Sequence, residues 1–141
     1  MSRAALRNRV AEILYVDDSP DDQLLAAQAI SATGRPHELR ITSSAIDLWT
    51  TLTQRLEHDV PVPSVLVVDL KMPKVDGHHL IQTLSEDPDL CSIPVVVLST
   101  SGDPEDFKRA TDEGALRYEV KPSQFDELVD VWSRILDLAE S

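Results

Sequence analysis

Val65-Leu66-Val67-Val68, running into Asp69-Leu70-Lys71-Met72-Pro73-Lys74-Val75-Asp76-Gly77, decides the fold. Four consecutive aliphatic residues, three of them β-branched, are too few for a helix and do not alternate with polar ones. That pattern suits a strand covered on both faces, as parallel strands beneath helices are. The run stops on an acid, and the Met72-Pro73 and Asp76-Gly77 steps that follow read as a turn leading to a helix near Asp76-Gly77. Outward from this segment, Ile13-Leu14-Tyr15-Val16 and Val95-Val96-Val97-Leu98 have the same character and are expected beside it. Leu39-Arg40-Ile41 and Tyr118-Glu119-Val120 alternate and read as edge strands.

Helix-start chemistry fills the intervals. Ser19-Pro20-Asp21-Asp22 combines a capping serine, a proline at the first helical position and acids in the first turn. Ser44-Ala45-Ile46-Asp47, Asp103-Pro104-Glu105-Asp106 and Ser123-Gln124-Phe125-Asp126 each set a capping side chain three residues before an acid, which favours the positive end of the helix dipole. Five strands alternating with five helices imply an α/β doubly wound domain with a five-stranded parallel sheet and right-handed crossovers. Residues 1–10 read as an N-terminal tail and 11–141 as one domain, with no output domain expected after it; the Pro-rich His58–Pro63 stretch reads as a surface connection.

With 141 residues the chain can bury a full core without disulfides or a structural metal. Thirteen basic against 25 acidic residues give a net charge of −12, which argues against a binder of the nucleic-acid backbone. Aromatics are 4% of the chain, so aliphatic side chains must build the core. The single cysteine, Cys91, cannot pair within the chain and reads as a buried or half-buried small side chain. Arg3, Arg7 and Arg9 are not followed by an apolar run of signal length, and no segment is long enough to span a bilayer, so a cytoplasmic protein away from membranes is expected.

Ligands of open α/β sheets bind where the carboxyl ends of the strands meet a switch point. The first strand ends at Asp17-Asp18, the third at Asp69 and the fourth at Ser99-Thr100, while the fifth leads into Lys121-Pro122. If the first and third strands are neighbours, three carboxylates converge beside a hydroxyl and an ammonium. Two carboxylates about 5 Å apart repel by roughly 3 kcal/mol at an effective dielectric of about 20. A hard divalent ion relieves that cost, and with no imidazole or thiolate in the set Mg2+ is the expected guest. One carboxylate could then serve as nucleophile toward a phosphoryl group, with Ser99 and Lys121 complementing its oxygens.

On these residues the chain resembles the response-regulator receiver domains of two-component signalling. The resemblance is carried by Tyr15-Val16-Asp17-Asp18-Ser19, the Val67–Gly77 block, Val96-Val97-Leu98-Ser99-Thr100, and Glu113-Gly114-Ala115 leading to Tyr118-Glu119-Val120-Lys121-Pro122. The intervals agree too, 30 residues from Asp69 to Ser99 and 22 from Ser99 to Lys121. The resemblance implies a flavodoxin-like (βα)5 fold with strand order 2-1-3-4-5 and a phosphoryl group accepted on Asp69 from a partner histidine kinase. It also implies Mg2+ held by Asp18, Asp69 and the Lys71 carbonyl, with Asp17 acting through water. Ser99 and Lys121 would meet the phosphoryl group, Tyr118 would be the switch aromatic, Lys71 and Ser101 would tune water access, and the Lys121–Pro122 bond would be cis. Such a protein catalyses only its own phosphorylation and dephosphorylation and acts on a downstream protein. Pro36-His37-Glu38-Leu39, Pro88-Asp89-Leu90 and the end of the fourth strand are similar to single-domain regulators that partner phytochrome-type histidine kinases. Two departures fall on the fifth strand: Arg117, where a small residue is common, and Glu119, where an aliphatic is usual.

Rival readings meet obstacles in the same residues. A Mg2+-dependent small-molecule phosphohydrolase needs a second acid two residues after its nucleophile, where Lys71 stands. A flavin module would have its phosphate repelled by Asp17-Asp18, and a non-phosphorylated adaptor would not need the acid triad with Ser99 and Lys121. In the last helix Phe125, Leu128, Val129, Trp132, Ile135 and Leu136 form the expected core stripe, leaving Val131 and Leu138 on an outer face, either as ordinary singly exposed apolar side chains or as the seam of a homodimer through the last strand and helix. His78 and His79, being adjacent, read as ordinary partly solvated side chains rather than metal ligands.

Overall fold

Alternate residues of the central strands feed two separate apolar clusters, which is why those strands show no polar face. The computed structural model describes residues 10–72 and 75–141. Strands β1 (Glu12–Val16), β2 (Glu38–Thr42) and β3 (Val65–Val68) alternate with helices α1 (Pro20–Ala32) and α2 (Ala45–Glu57). Then come two-residue strands β4 (Lys71–Met72) and β5 (Val75–Asp76), α3 (Gly77–Glu86), β6 (Val95–Ser99), α4 (Pro104–Glu113), β7 (Arg117–Val120) and α5 (Phe125–Glu140). The main sheet is parallel in the order β2-β1-β3-β6-β7, which is the expected 2-1-3-4-5 once the small antiparallel β4–β5 ladder is set apart. That ladder is absent from the sequence reading, which has only a turn there.

Leu14, Val16, Leu66, Val68 and Val97 pack against Leu48, Leu52, Ile81, Leu84 and Ala110 on one face. On the other, Ile13, Tyr15, Val65, Val67, Val96 and Leu98 pack against Ala26, Ala29, Ile30, Trp132, Ile135 and Leu136. Each large aliphatic buried this way contributes on the order of 2 kcal/mol. Ser19, Ser44, Asp76 and Asp103 cap their helices with side-chain hydrogen bonds. Gly77 matters for the site, because a Cβ there would lie 2.7 Å from the Leu70 Cα and 2.9 Å from the Asp69 carbonyl oxygen. Only glycine lets α3 begin against the end of β3.

Several expectations are corrected. The cap of α5 is Gln124, which makes no side-chain cap bond, rather than Ser123. Phe125 is exposed while Val131 is buried, and Leu138 packs on the core, so the outer-face pair behind the dimer expectation does not exist. The α5 stripe is wide enough to wrap around β1 and β3 and takes Val131 with it. Cys91 is exposed rather than buried or half-buried, because the turn before β6 that carries it lies on the surface. The Lys121–Pro122 bond is trans, since no described peptide bond is cis, and trans is the ordinary preference of a prolyl bond. His78 is buried, not partly solvated, because it faces α4; His79, one position on, is exposed. The arginines of the tail lie outside the described residues.

Candidate functional site

The strand order makes β1 and β3 neighbours, so their carboxyl ends deliver Asp17, Asp18 and Asp69 to one place. One carboxylate oxygen from each lies within 4.8 Å of the others. Asp17 is fully buried, Asp69 nearly so, and Asp18 lies at the open rim. Carboxylates this close and this dry demand a cation. Lys121, 11% exposed at its side chain, answers from the loop after β7, with Nζ 2.7 Å from Asp17 and 3.2 Å from Asp69. It is aimed there by its own backbone, whose N–H donates to the Ser99 carbonyl at 2.7 Å.

Asp17 is saturated with donors. The Ser19 N–H bonds Oδ1 at 2.9 Å, and Oδ2 takes both Lys121 Nζ and the Tyr15 hydroxyl at 2.5 Å. Tyr15 and Asp17 share a strand face at the two-residue period, so the phenol reaches the acid from within the core. Asp69 Oδ1 accepts the Lys71 N–H at 3.0 Å. Burial raises the Asp69 carboxyl above its ordinary range, and the Lys71 N–H and the Lys121 charge offset this only in part. For Lys121, burial pulls downward, but the hydrogen bond to Asp17 and the Asp69 charge outweigh it and the ammonium is pushed up to about 12.

Ser99 is buried at the end of β6, and its hydroxyl oxygen accepts the Ser101 N–H at 3.3 Å rather than bonding an acid. Tyr118 stands opposite Val97 on β7, lies beside Phe107, and donates its hydroxyl to the Ser101 carbonyl at 2.8 Å. The Lys71 ammonium points away from the acids toward Asp106 at 3.6 Å. Two members of the site escape the sequence reading. Asp22, seen there only as a first-turn acid, binds Lys121 at 3.0 Å because that turn faces back over the strand ends. Gln23 holds the strand end itself, donating to the Asp17 carbonyl at 2.6 Å and to Ser43 at 3.1 Å. Tyr15 was legible as a strand residue; its period-two relation to Asp17 was the available signal.

The donor set fits a hard divalent ion, being all carboxylate, largely buried and closely spaced. Residues 13–133 match the response regulator receiver domain family. The chain is 36% identical over 95 residues to the response regulator Rcp1 of Synechocystis, a match covering 67% of this chain and 65% of Rcp1. The Mn2+-bound form of Rcp1 superposes with a TM-score of 0.74 at 28% identity, covering 89% of this chain and 91% of that one. The phosphorylated cyanobacterial phytochrome response regulator RcpA gives 0.82 at 28% identity, over 94% and 96% of the two chains. Fold, acid triad and family match agree: this chain belongs to the response regulator receiver domains.

Proposed function

We propose that this protein is a phosphorelay switch that accepts a phosphoryl group on Asp69 from a histidine kinase, of phytochrome type by likeness to RcpA, and presents the result to a downstream protein in the cytoplasm. Residues 11–141 form the receiver unit. The observation that carries this reading is the buried triad of Asp17, Asp18 and Asp69 with Lys121 Nζ between two of its members. An Asp69 carboxylate oxygen attacks phosphorus, the bond from phosphorus to the donor imidazole breaks, and the imidazole leaves as it regains a proton. Asp18, Asp69 and the Lys71 carbonyl, with Asp17 through water, would hold Mg2+, which would supply charge neutralisation. Lys121 pairs with a transferred oxygen, exchanging part of its carboxylate contacts for phosphate ones. The phosphoryl group adds as many as two negative charges, which draws the Ser99 hydroxyl inward and loosens the Ser101 segment that Tyr118 holds.

Lys71 argues against the small-molecule phosphohydrolase, since its ammonium, pointed at Asp106, occupies the place of the required second acid. The test is incubation with Mg2+ and acetyl phosphate. A hydroxylamine-sensitive phosphoryl group on the wild type, absent from Asp69→Asn, is the expected result. A wild type that gains none, or an Asp69→Asn variant labelled equally, overturns the reading.

A further inference from the structure

His78, the second residue of α3, is 7% exposed at its side chain and reaches across to α4. Its Nδ1 lies 2.6 Å from Glu113 Oε1 and its Nε2 lies 3.2 Å from Asp106 Oδ1. Asp106 and Glu113 are seven residues apart, two turns on one helix face, so the ring bridges them along α4. A neutral imidazole has one N–H and one lone pair, and a lone pair set against a carboxylate oxygen is repulsive. Only the imidazolium donates to both. The other charged groups around it are Arg109, 3.6 Å from Glu113 and 3.5 Å from Asp76, the Asp76 cap of its own helix, and Lys71; His79 is exposed.

The second oxygen of Asp106 carries the consequence. It accepts the Ser101 hydroxyl at 2.6 Å and lies 3.6 Å from Lys71 Nζ. Lys71 is two residues beyond Asp69, Ser101 is two beyond Ser99, and the Ser101 carbonyl holds Tyr118. One carboxylate therefore ties together the segments that follow β3 and β6. His78 fixes that carboxylate from behind, and the Ser101 hydroxyl followed by His78 keeps the Asp106 carboxyl below its usual range.

We infer that His78 is a positioning residue: as an imidazolium clamped by Glu113 it orients Asp106, and through Asp106 it holds Lys71 and Ser101 at the mouth of the phosphoacceptor pocket, setting the lifetime of the phosphoryl group. The inference rests on the phosphoacceptor reading of Asp69. In the resetting step water adds to phosphorus, the bond between phosphorus and the Asp69 oxygen breaks, the carboxylate leaves, and the water's proton passes to the phosphate or to solvent. With Asp106 fixed, Lys71 and Ser101 narrow the water's approach; with it released, the mouth opens and hydrolysis quickens.

The experiment labels wild type, His78→Leu and His78→Gln with acetyl phosphate and Mg2+, removes the donor and follows loss of label, with thermal melts to establish folding. Losing a charge-assisted contact shortens the lifetime by about threefold or more in His78→Leu, while His78→Gln, which keeps one donor, recovers part of it. Long-range nitrogen NMR of the wild type near pH 6 shows protons on both ring nitrogens. Folded variants with wild-type lifetimes overturn the inference and leave the phosphoacceptor reading standing. A single-proton tautomer at that pH likewise overturns the inference. A wild type that takes no label overturns both. If His78→Leu does not fold, the His78→Gln lifetime and the NMR spectrum decide.

Discussion

Replacing Lys121 with methionine removes the ammonium that sits among three acids while keeping the length and most of the packing of the stem. Asp17, Asp22 and Asp69 lie 2.7, 3.0 and 3.2 Å from its Nζ. The rise of Lys121 from 10.5 to about 12 corresponds to about 2 kcal/mol of preferential stabilisation of the charged form in the fold. Because the folded value exceeds the unfolded one, that contribution is complete below pH 10.5 and fades as pH rises through about 12, so at neutral pH it is fully present. Deletion also strands buried carboxylates, so Lys121→Met should cost about 3–5 kcal/mol. Urea unfolding in EDTA, followed through the buried Trp132, measures it. The cost should fall when Asp17→Asn is added, because the cation and the acid are one coupled unit. Mg2+ should stabilise Lys121→Met more than wild type, since the variant binds the ion without displacing an ammonium. A cost under about 1 kcal/mol, or strict additivity with Asp17→Asn, refutes the electrostatic account of the site.

Asp69→Asn should raise stability at neutral pH in EDTA. Burial lifts the folded carboxyl above its unfolded value, so the ionised wild type loses stability as pH rises through that raised range, and the amide does not. Urea midpoints near pH 7 and near pH 4 check it: the advantage should shrink at the lower pH, and a variant less stable than wild type at neutrality contradicts the sign. Gly77→Ala should cost about 1–3 kcal/mol and weaken Mg2+ binding, because the added methyl meets the backbone of Leu70 and Asp69 and pushes α3 off the end of β3. Thermal melts and Mg2+ calorimetry on the same sample detect both effects.

Much of the architecture was legible because the signals are local. Uninterrupted apolar runs in β1, β3 and β6 announced two-sided burial, and Ser19, Ser44 and Asp103 announced helix starts through capping geometry that a few residues fix by themselves. The failures are instructive in the same terms. Val131 and Phe125 exchanged places because a helix stripe read from spacing has no knowledge of which way α5 rolls on β1 and β3. Cys91 is exposed although small thiols favour burial, because the turn that carries it ahead of β6 lies on the surface. The Lys121–Pro122 bond, cis by the family resemblance, is trans here, since an isomer separated by about 1 kcal/mol or less is settled by surroundings.

The sequence by itself determined the family: three acids, a hydroxyl and a lysine at strand ends, in an order and spacing that resemble those of receiver domains. Strand alternation fixed the faces, and the positions of the carboxyl ends followed. Tertiary structure alone decided the company those groups keep. Asp22 joined Lys121, Tyr15 donated to Asp17, and His78 became a buried bridge to Asp106 and Glu113, residues 28 and 35 positions away. Hydrogen bonds and buried charges act over about 3 Å in space, and no periodicity along the chain reports a distance between two helices.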